Sequence, residues 1–349
     1  MRECDAADYE GPASGRWISL RHVRDKYLGT EWARSHLHKQ GERHATLGSS
    51  LSPSRAESDL TIMTDSLDIS LSEYVYAPYR CKRKALDVAA SLEELPSVHH
   101  VAYIGDSILR TSFCGHLYPS LHNGSFGGGC TPDDPKSSRH TAKTFDHALQ
   151  VSNGNRTSVK FSQRFFTGDT STWAEALQGL GADVLVTHVV LNVGMWFVTL
   201  PEEGYMDRVT DALRLVTSTL ITNSNSSSAP LRIVWPSTPS VSPGVNCFEA
   251  YKRAILKDHG ILAQRVLKDF KETDPSVRVD FVDYFRLTDG RPETSTDGRH
   301  WAMESDFETV TKMRPLVGSA DDAMLEWAWD VWRVRDQEER EGQGDVVWD

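Results

Sequence analysis

The 349-residue chain carries 38 basic against 49 acidic side chains, a net charge of -11, with 25% charged and 39% hydrophobic residues. That balance excludes a disordered polyelectrolyte and a membrane-embedded bundle, and it argues against a partner held through its phosphate backbone, so nucleic acid is not expected. The length fits one large α/β domain with extensions, or two smaller domains.

Residues 1–72 mix Ser, Arg, His and Asp with little apolar periodicity beyond a short helix near 31–39. They read as an N-terminal extension, partly disordered over about 41–59. The first thirty residues hold no apolar core of a signal peptide or anchor. Order is expected from near Tyr74, in YVYAPYRC, followed by a helix over 86–95 that ends before Pro96. The run VHHVAYIGDS then reads as a strand feeding Gly105-Asp106-Ser107. Ile108, Leu109, Phe113 and Leu117 place a helix directly after it.

A Gly-rich stretch, GSFGGGC, occupies 124–130, and a polar segment runs on to about Thr157. The pattern next predicts a strand over 158–166, a helix over 173–180, and an apolar strand over 183–191 of the kind buried on both faces of a parallel sheet. The stretch 184–200 is interrupted by His188, Asn192 and Gly194 and falls short of the ~20 apolar residues a spanning helix needs, so no membrane segment is read. Further on come an amphipathic helix over 202–221, a buried strand over 231–235, a helix over 247–270 broken at Gly260, and a strand over 277–285. Leu325, Ala328, Trp329 and Trp332 stripe a last packing helix, and 336–349 reads as a charged, solvated tail. Strands alternating with helices predict one α/β domain over 73–335 with a mainly parallel central sheet.

The five cysteines, Cys4, Cys81, Cys114, Cys130 and Cys247, form no CxxC pair, and no metal site is expected. Four can pair and leave one; Cys114 with Cys130 would close a short loop, but spacing leaves the pairing open. Sequons at Asn123, Asn155 and Asn225 permit glycosylation in a secretory lumen.

Three places carry candidate chemistry. Ser107 sits where a strand ends and a helix begins, at the carboxyl edge where α/β sheets place their sites; it reads either as a nucleophile or as a helix cap. A serine nucleophile needs a base, and Asp297-Gly-Arg-His300, after the last strand, offers a histidine with a carboxylate to orient it, or else a surface turn. Asn192, in Asn192-Val-Gly194-Met-Trp196, ends the strongest buried strand and could give its carboxamide to an oxyanion, or form an ordinary turn.

Together IGDSILR (104–110), LNVGMW (191–196) and DGRHW (297–301) resemble the nucleophile, Asn and Asp-x-x-His blocks of the SGNH/GDSL hydrolase superfamily. Within it the chain is most similar to the PC-esterase group, which includes the trichome-birefringence-like polysaccharide O-acetyltransferases; YAPYRC and FRLTDGRPE (285–293) echo flanking segments. The likeness covers about 74–302. Met195 stands where the plant proteins usually carry His, and the Asp-x-x-His block lacks their second Cys.

The resemblance implies a three-layer α/β/α, flavodoxin-like SGNH domain using a Ser-His-Asp triad. Ser107 would be the nucleophile, His300 the base and Asp297 its orienter. Oxyanion donors would be the Ser107 N–H, the Asn192 side chain and one of Gly127, Gly128 or Gly129, with Gly128 taken as representative and a plain linker as the other reading. Arg110 would neutralise charge near the site or lie on the surface, and Trp196 and Trp301 would stack on sugar or be core.

The implied activity is O-acetyl transfer to, or hydrolysis from, a glycan hydroxyl through an acyl-serine, with a carbohydrate or small ester as the partner. Alternatives are a lipid or small-ester hydrolase of GDSL type and an inactive glycan-binding member. No cofactor is expected beyond an acyl donor, such as an acetyl ester or acetyl-CoA, left unidentified. The family likeness points to a secretory lumen, against the missing signal peptide.

Overall fold

The structure is a computed structural model that describes residues 2–3, 15–19, 74–78, 81–82, 88–117, 144–153, 156–222, 230–241, 253–274, 276–290, 301, 303–304, 314–315 and 320–341. Its centre is a sheet of β1 (His100–Gly105), β2 (Thr144–Asn153), β3 (Arg156–Phe165), β4 (His188–Asn192), β5 (Leu231–Pro236) and β6 (Val277–Val282) in the order β6-β5-β4-β1-β3-β2. All neighbours run parallel except β2, which pairs antiparallel with β3. Counting only the parallel strands along the chain gives the flavodoxin order 2-1-3-4-5, whose topological switch point lies between β1 and β4. The expected mainly parallel α/β sheet is present.

Strand side chains alternate between two cores. Val101, Tyr103, Phe161, Val190, Val234 and Val282 face α1 (Val88–Glu94), α2 (Ser107–Ser112), α6 (Tyr284–Asp289) and α7 (Ala320–Arg340). Ala102, Ile104, Val189, Leu191, Ile233 and Phe281 face α4 (Glu202–Thr222) and α5 (Arg253–Thr273), with the short α3 (Trp173–Ala176) beside them. This double-sided burial is why β1, β4, β5 and β6 read as apolar runs.

Several boundaries differ from the sequence reading, each for a physical reason. The polar stretch before Thr157 contains β2, an edge strand whose Asp146 and Ala148 are exposed, unlike the covered edge strand β6. Its Asp146 pairs with Arg164 on β3. The strand expected over 183–191 begins only at His188, because the Val184 carbonyl is taken by the His100 ring and the Thr187 N–H by the His100 carbonyl. The helix expected to reach residue 180 stops at Ala176, ahead of positive-φ turns at Gly179 and Gly181.

Helix α5 passes through Gly260 without a break: His259 stacks on Tyr205 of α4 at 3.8 Å, and buried Leu262, Ala263 and Val266 hold the next turn. Packing there outweighs the ~1 kcal/mol helix penalty of glycine. The strand expected over 277–285 ends at Val282, since Asp283 caps α6 by accepting the Arg286 N–H. Helix α7 runs past residue 335 to Arg340, carried by Asp336 and Glu339 against Arg232, beside the Arg335–Asp280 pair.

Gly15–Ser19, inside the expected N-terminal extension, pairs antiparallel with Tyr74–Pro78. The helix read over 31–39 and the disorder read over 41–59 lie outside the described residues. Among the described residues, no helix is long and apolar enough to cross a membrane, and no cluster of His, Cys, Asp or Glu could hold a metal ion.

His100, fully buried at the start of β1, contacts Ser162 at 2.7 Å, and Ser162 donates to Asp146. Burial pushes the His100 pKa down to about 4; Lys160 pushes the same way, against the Val184 carbonyl, Asp146 and Asp183. The ring is therefore neutral in the fold and protonates at ~6.5 in the unfolded chain. Stability from this group is complete above pH 6.5 and falls as pH drops toward 4, by up to ~3 kcal/mol. Denaturant midpoints should fall between pH 7 and 4.5, and flat midpoints across that window would refute the assignment.

Candidate active site

Register places Phe165, Gly105 and Asn192 side by side at the carboxyl edge, on β3, β1 and β4. Asp106 and Ser107 follow Gly105 directly, so nucleophile candidate and amide candidate flank the switch point. Gly105 is required by that closeness. A Cβ there would lie 2.3 Å from the Asn192 carbonyl oxygen and 2.9 Å from Leu109. Gly105→Ala should cost on the order of 1–3 kcal/mol by forcing β1 and β4 apart, measurable by thermal or denaturant unfolding.

Asp106 clamps the two turns together. It is fully buried; one carboxylate oxygen accepts the Ile108 N–H at 2.9 Å, capping α2, and the other accepts the Met195 N–H at 3.3 Å from the turn after β4. The helix-cap role weighed for Ser107 therefore belongs to Asp106. Ser107 is left half-buried as the first residue of α2, its carbonyl accepting from the Thr111 hydroxyl at 2.5 Å. Farther along α2, the Ser112 hydroxyl donates to buried Asp321 of α7 at 2.7 Å, and Tyr284 of α6 donates to the same carboxylate.

Asn192 is buried with its amide fixed in one orientation. Its Oδ1 accepts the Gly194 N–H at 3.0 Å and its Nδ2 donates to the Pro236 carbonyl at 2.5 Å, so the two ends cannot be exchanged. One of the two Nδ2 hydrogens is used in this way. Gly194 backs onto Thr238, where a Cβ would fall 1.6 Å from the Thr238 hydroxyl. The loop after β5 is buried from Ser237 to Val241 and holds the Asn192 turn from behind.

Arg110, one turn beyond Ser107, lays its guanidinium 4.9 Å over the Phe165 ring. Burial lowers its pKa, opposed by the Asp106 charge. Trp196 is 47% exposed, whereas Trp301 is 0% exposed within the core against α7. Of the two candidate stacking surfaces only Trp196 is open; Trp301 is core, because its whole ring is spent on packing.

Asp297, His300 and the glycines Gly127, Gly128 and Gly129 lie outside the described residues. Sequence reasoning missed the Asp106 bond to Met195, which spans 89 residues and leaves no local pattern. It also missed Gly168, whose place against Trp196 is set by tertiary contact alone. Cys114, just beyond α2, is disulfide-bonded.

No protein-family model matches the sequence, nor does any curated protein. Among solved structures the chain is similar to a catalytic mutant of Axe2, an acetylxylan esterase from Geobacillus stearothermophilus, at 14% identity and TM-score 0.35, covering 67% of this chain and 94% of that one. The parent Axe2 gives 15% identity and TM-score 0.34 with the same coverage.

Proposed function

We propose that the chain is a serine-dependent acyl-ester enzyme of SGNH type, similar to the PC-esterase group, which moves an acetyl group to or from a glycan hydroxyl. The observation that carries this reading is the pairing of Gly105 with Asn192 across the β1/β4 switch point, which sets the turn of Asp106 and Ser107 beside the turn after Asn192, with Asp106 bonded to both. In this mechanism Ser107 Oγ attacks the ester carbonyl, and His300, oriented by Asp297, takes the hydroxyl proton. The tetrahedral oxyanion is met by the Ser107 N–H, by the second Nδ2 hydrogen of Asn192 and by a donor from the loop holding Gly128. Collapse expels the alcohol, protonated by His300. Water or a second sugar hydroxyl then attacks the acyl-serine, giving its proton to His300 and restoring Ser107.

The disulfide at Cys114 and the sequons fit an oxidising, luminal or extracellular setting.

The test is covalent trapping. A fluorophosphonate probe followed by peptide mass spectrometry should label Ser107, and in a separate sample acetylated oligosaccharides should leave an acetyl-Ser107 adduct that water or unacetylated oligosaccharides discharge. Labelling at another serine, or none, overturns the reading.

A further inference from the structure

The loops after β3 and β4 meet beyond the end of β1, which lies between them in the sheet. Trp173 stitches them together, stacking on Phe166 at 4.7 Å and meeting Phe197 edge-on at 5.9 Å. Gly168 then rests on the Trp196 indole: the three atoms nearest to a Cβ built at 168 all belong to Trp196, at 3.3, 3.5 and 3.6 Å. Its φ is not in the left-handed range, and the residue is exposed, so neither backbone conformation nor core packing calls for glycine there. The missing side chain serves the ring.

The turn beside the ring is rigid and hydroxyl-rich. Asp169 accepts the Ser171 N–H at 3.0 Å and its hydroxyl at 2.7 Å, which holds the Asp169 carboxyl below its usual range. Thr167 and Thr172 share a hydrogen bond at 3.1 Å, and the Trp173 indole N–H donates to the Thr167 carbonyl at 2.9 Å. A flat apolar face bordered by fixed donors and acceptors matches a pyranose or furanose ring, with its apolar C–H face and equatorial hydroxyls, rather than an alkyl chain.

We infer that Trp196, seated on Gly168 and bordered by the Thr167–Thr172 turn, is a saccharide-binding platform, and that Gly168 is the positioning residue that sets its specificity. This rests on the acyl-ester reading only for where the scissile bond lies. A methyl at 168 must displace the indole by a few tenths of an ångström, and a larger side chain covers part of its face.

Wild type, Trp196→Ala, Gly168→Ala, Gly168→Val and the Trp196→Ala/Gly168→Val double variant are compared on 4-nitrophenyl acetate and on acetylated pentose and hexose oligosaccharides. The ratio of oligosaccharide to 4-nitrophenyl acetate kcat/KM should fall ~10-fold for Trp196→Ala and several-fold for Gly168→Val, chiefly through KM. The double variant should lose no more than Trp196→Ala alone, because the two residues act through one ring. An unchanged ratio, a loss confined to kcat, or additive losses would overturn the platform. Calorimetric titration of the unacetylated oligosaccharides into wild type and Trp196→Ala separates the two readings. Trp196-dependent binding by a protein with no esterase activity would sink the acyl-ester reading alone, and Trp196-independent binding would sink the platform alone.

Discussion

Ser107→Ala should reduce kcat/KM on 4-nitrophenyl acetate by ~10⁴-fold or more while leaving the unfolding midpoint near wild type. The expectation follows from what the fold spends on this residue. The cap of α2 is supplied by Asp106, the helix is braced through Ser112 and Asp321, and the Ser107 backbone carbonyl holds Thr111. These contacts brace the start of α2 through the neighbours of Ser107 and through its backbone. Were Ser107 a capping residue, the same substitution would cost ~1 kcal/mol of stability and little activity. The two readings therefore predict opposite patterns in two measurements on one protein. His300→Ala should lose activity to a similar degree, and the Ser107→Ala/His300→Ala double variant should be no worse than either single one, since members of a triad act as a unit. Additive losses would separate His300 from Ser107.

How much of this was legible in the chain depends on where each residue's reason lies. Strands β1, β4, β5 and β6 were readable because both faces are buried and the pattern is local. Strand β2 was not, because exposed positions such as Asp146 and Ala148 leave it no apolar run, and its evidence lies in its pairing with β3. The turn after β1 was legible as Gly-Asp-Ser, but the reason for its aspartate was not, since the second acceptor bond goes to Met195 in a distant turn. Gly260 misled for the opposite reason: a local breaker was overridden by the Tyr205–His259 stack and the buried turn that follows. The two tryptophans next to the motifs looked equivalent in sequence. Only tertiary packing separates Trp196, open beside Gly168, from Trp301 in the core.

Asp106→Asn should show how far the site depends on that aspartate. Both carboxylate oxygens accept backbone N–H groups in a fully buried position, and a carboxamide offers one acceptor and one donor. Whichever way the amide turns, its NH2 faces a backbone N–H. If it faces Ile108, α2 loses its cap; if it faces Met195, the turn carrying Asn192 separates from the turn carrying Ser107. The cost should be about 2–4 kcal/mol in unfolding free energy, the penalty of a buried unmet donor added to a lost charge-assisted bond. Activity should fall by ~10²-fold, mostly in kcat, because displacement of an oxyanion donor by a fraction of an ångström weakens the transition state more than substrate binding. Arg110, over the Phe165 ring, would also lose the Asp106 charge that opposes the effect of its burial. Asp106→Asn with wild-type stability and kcat would mean that the clamp between the two turns supports neither the fold nor the proposed site.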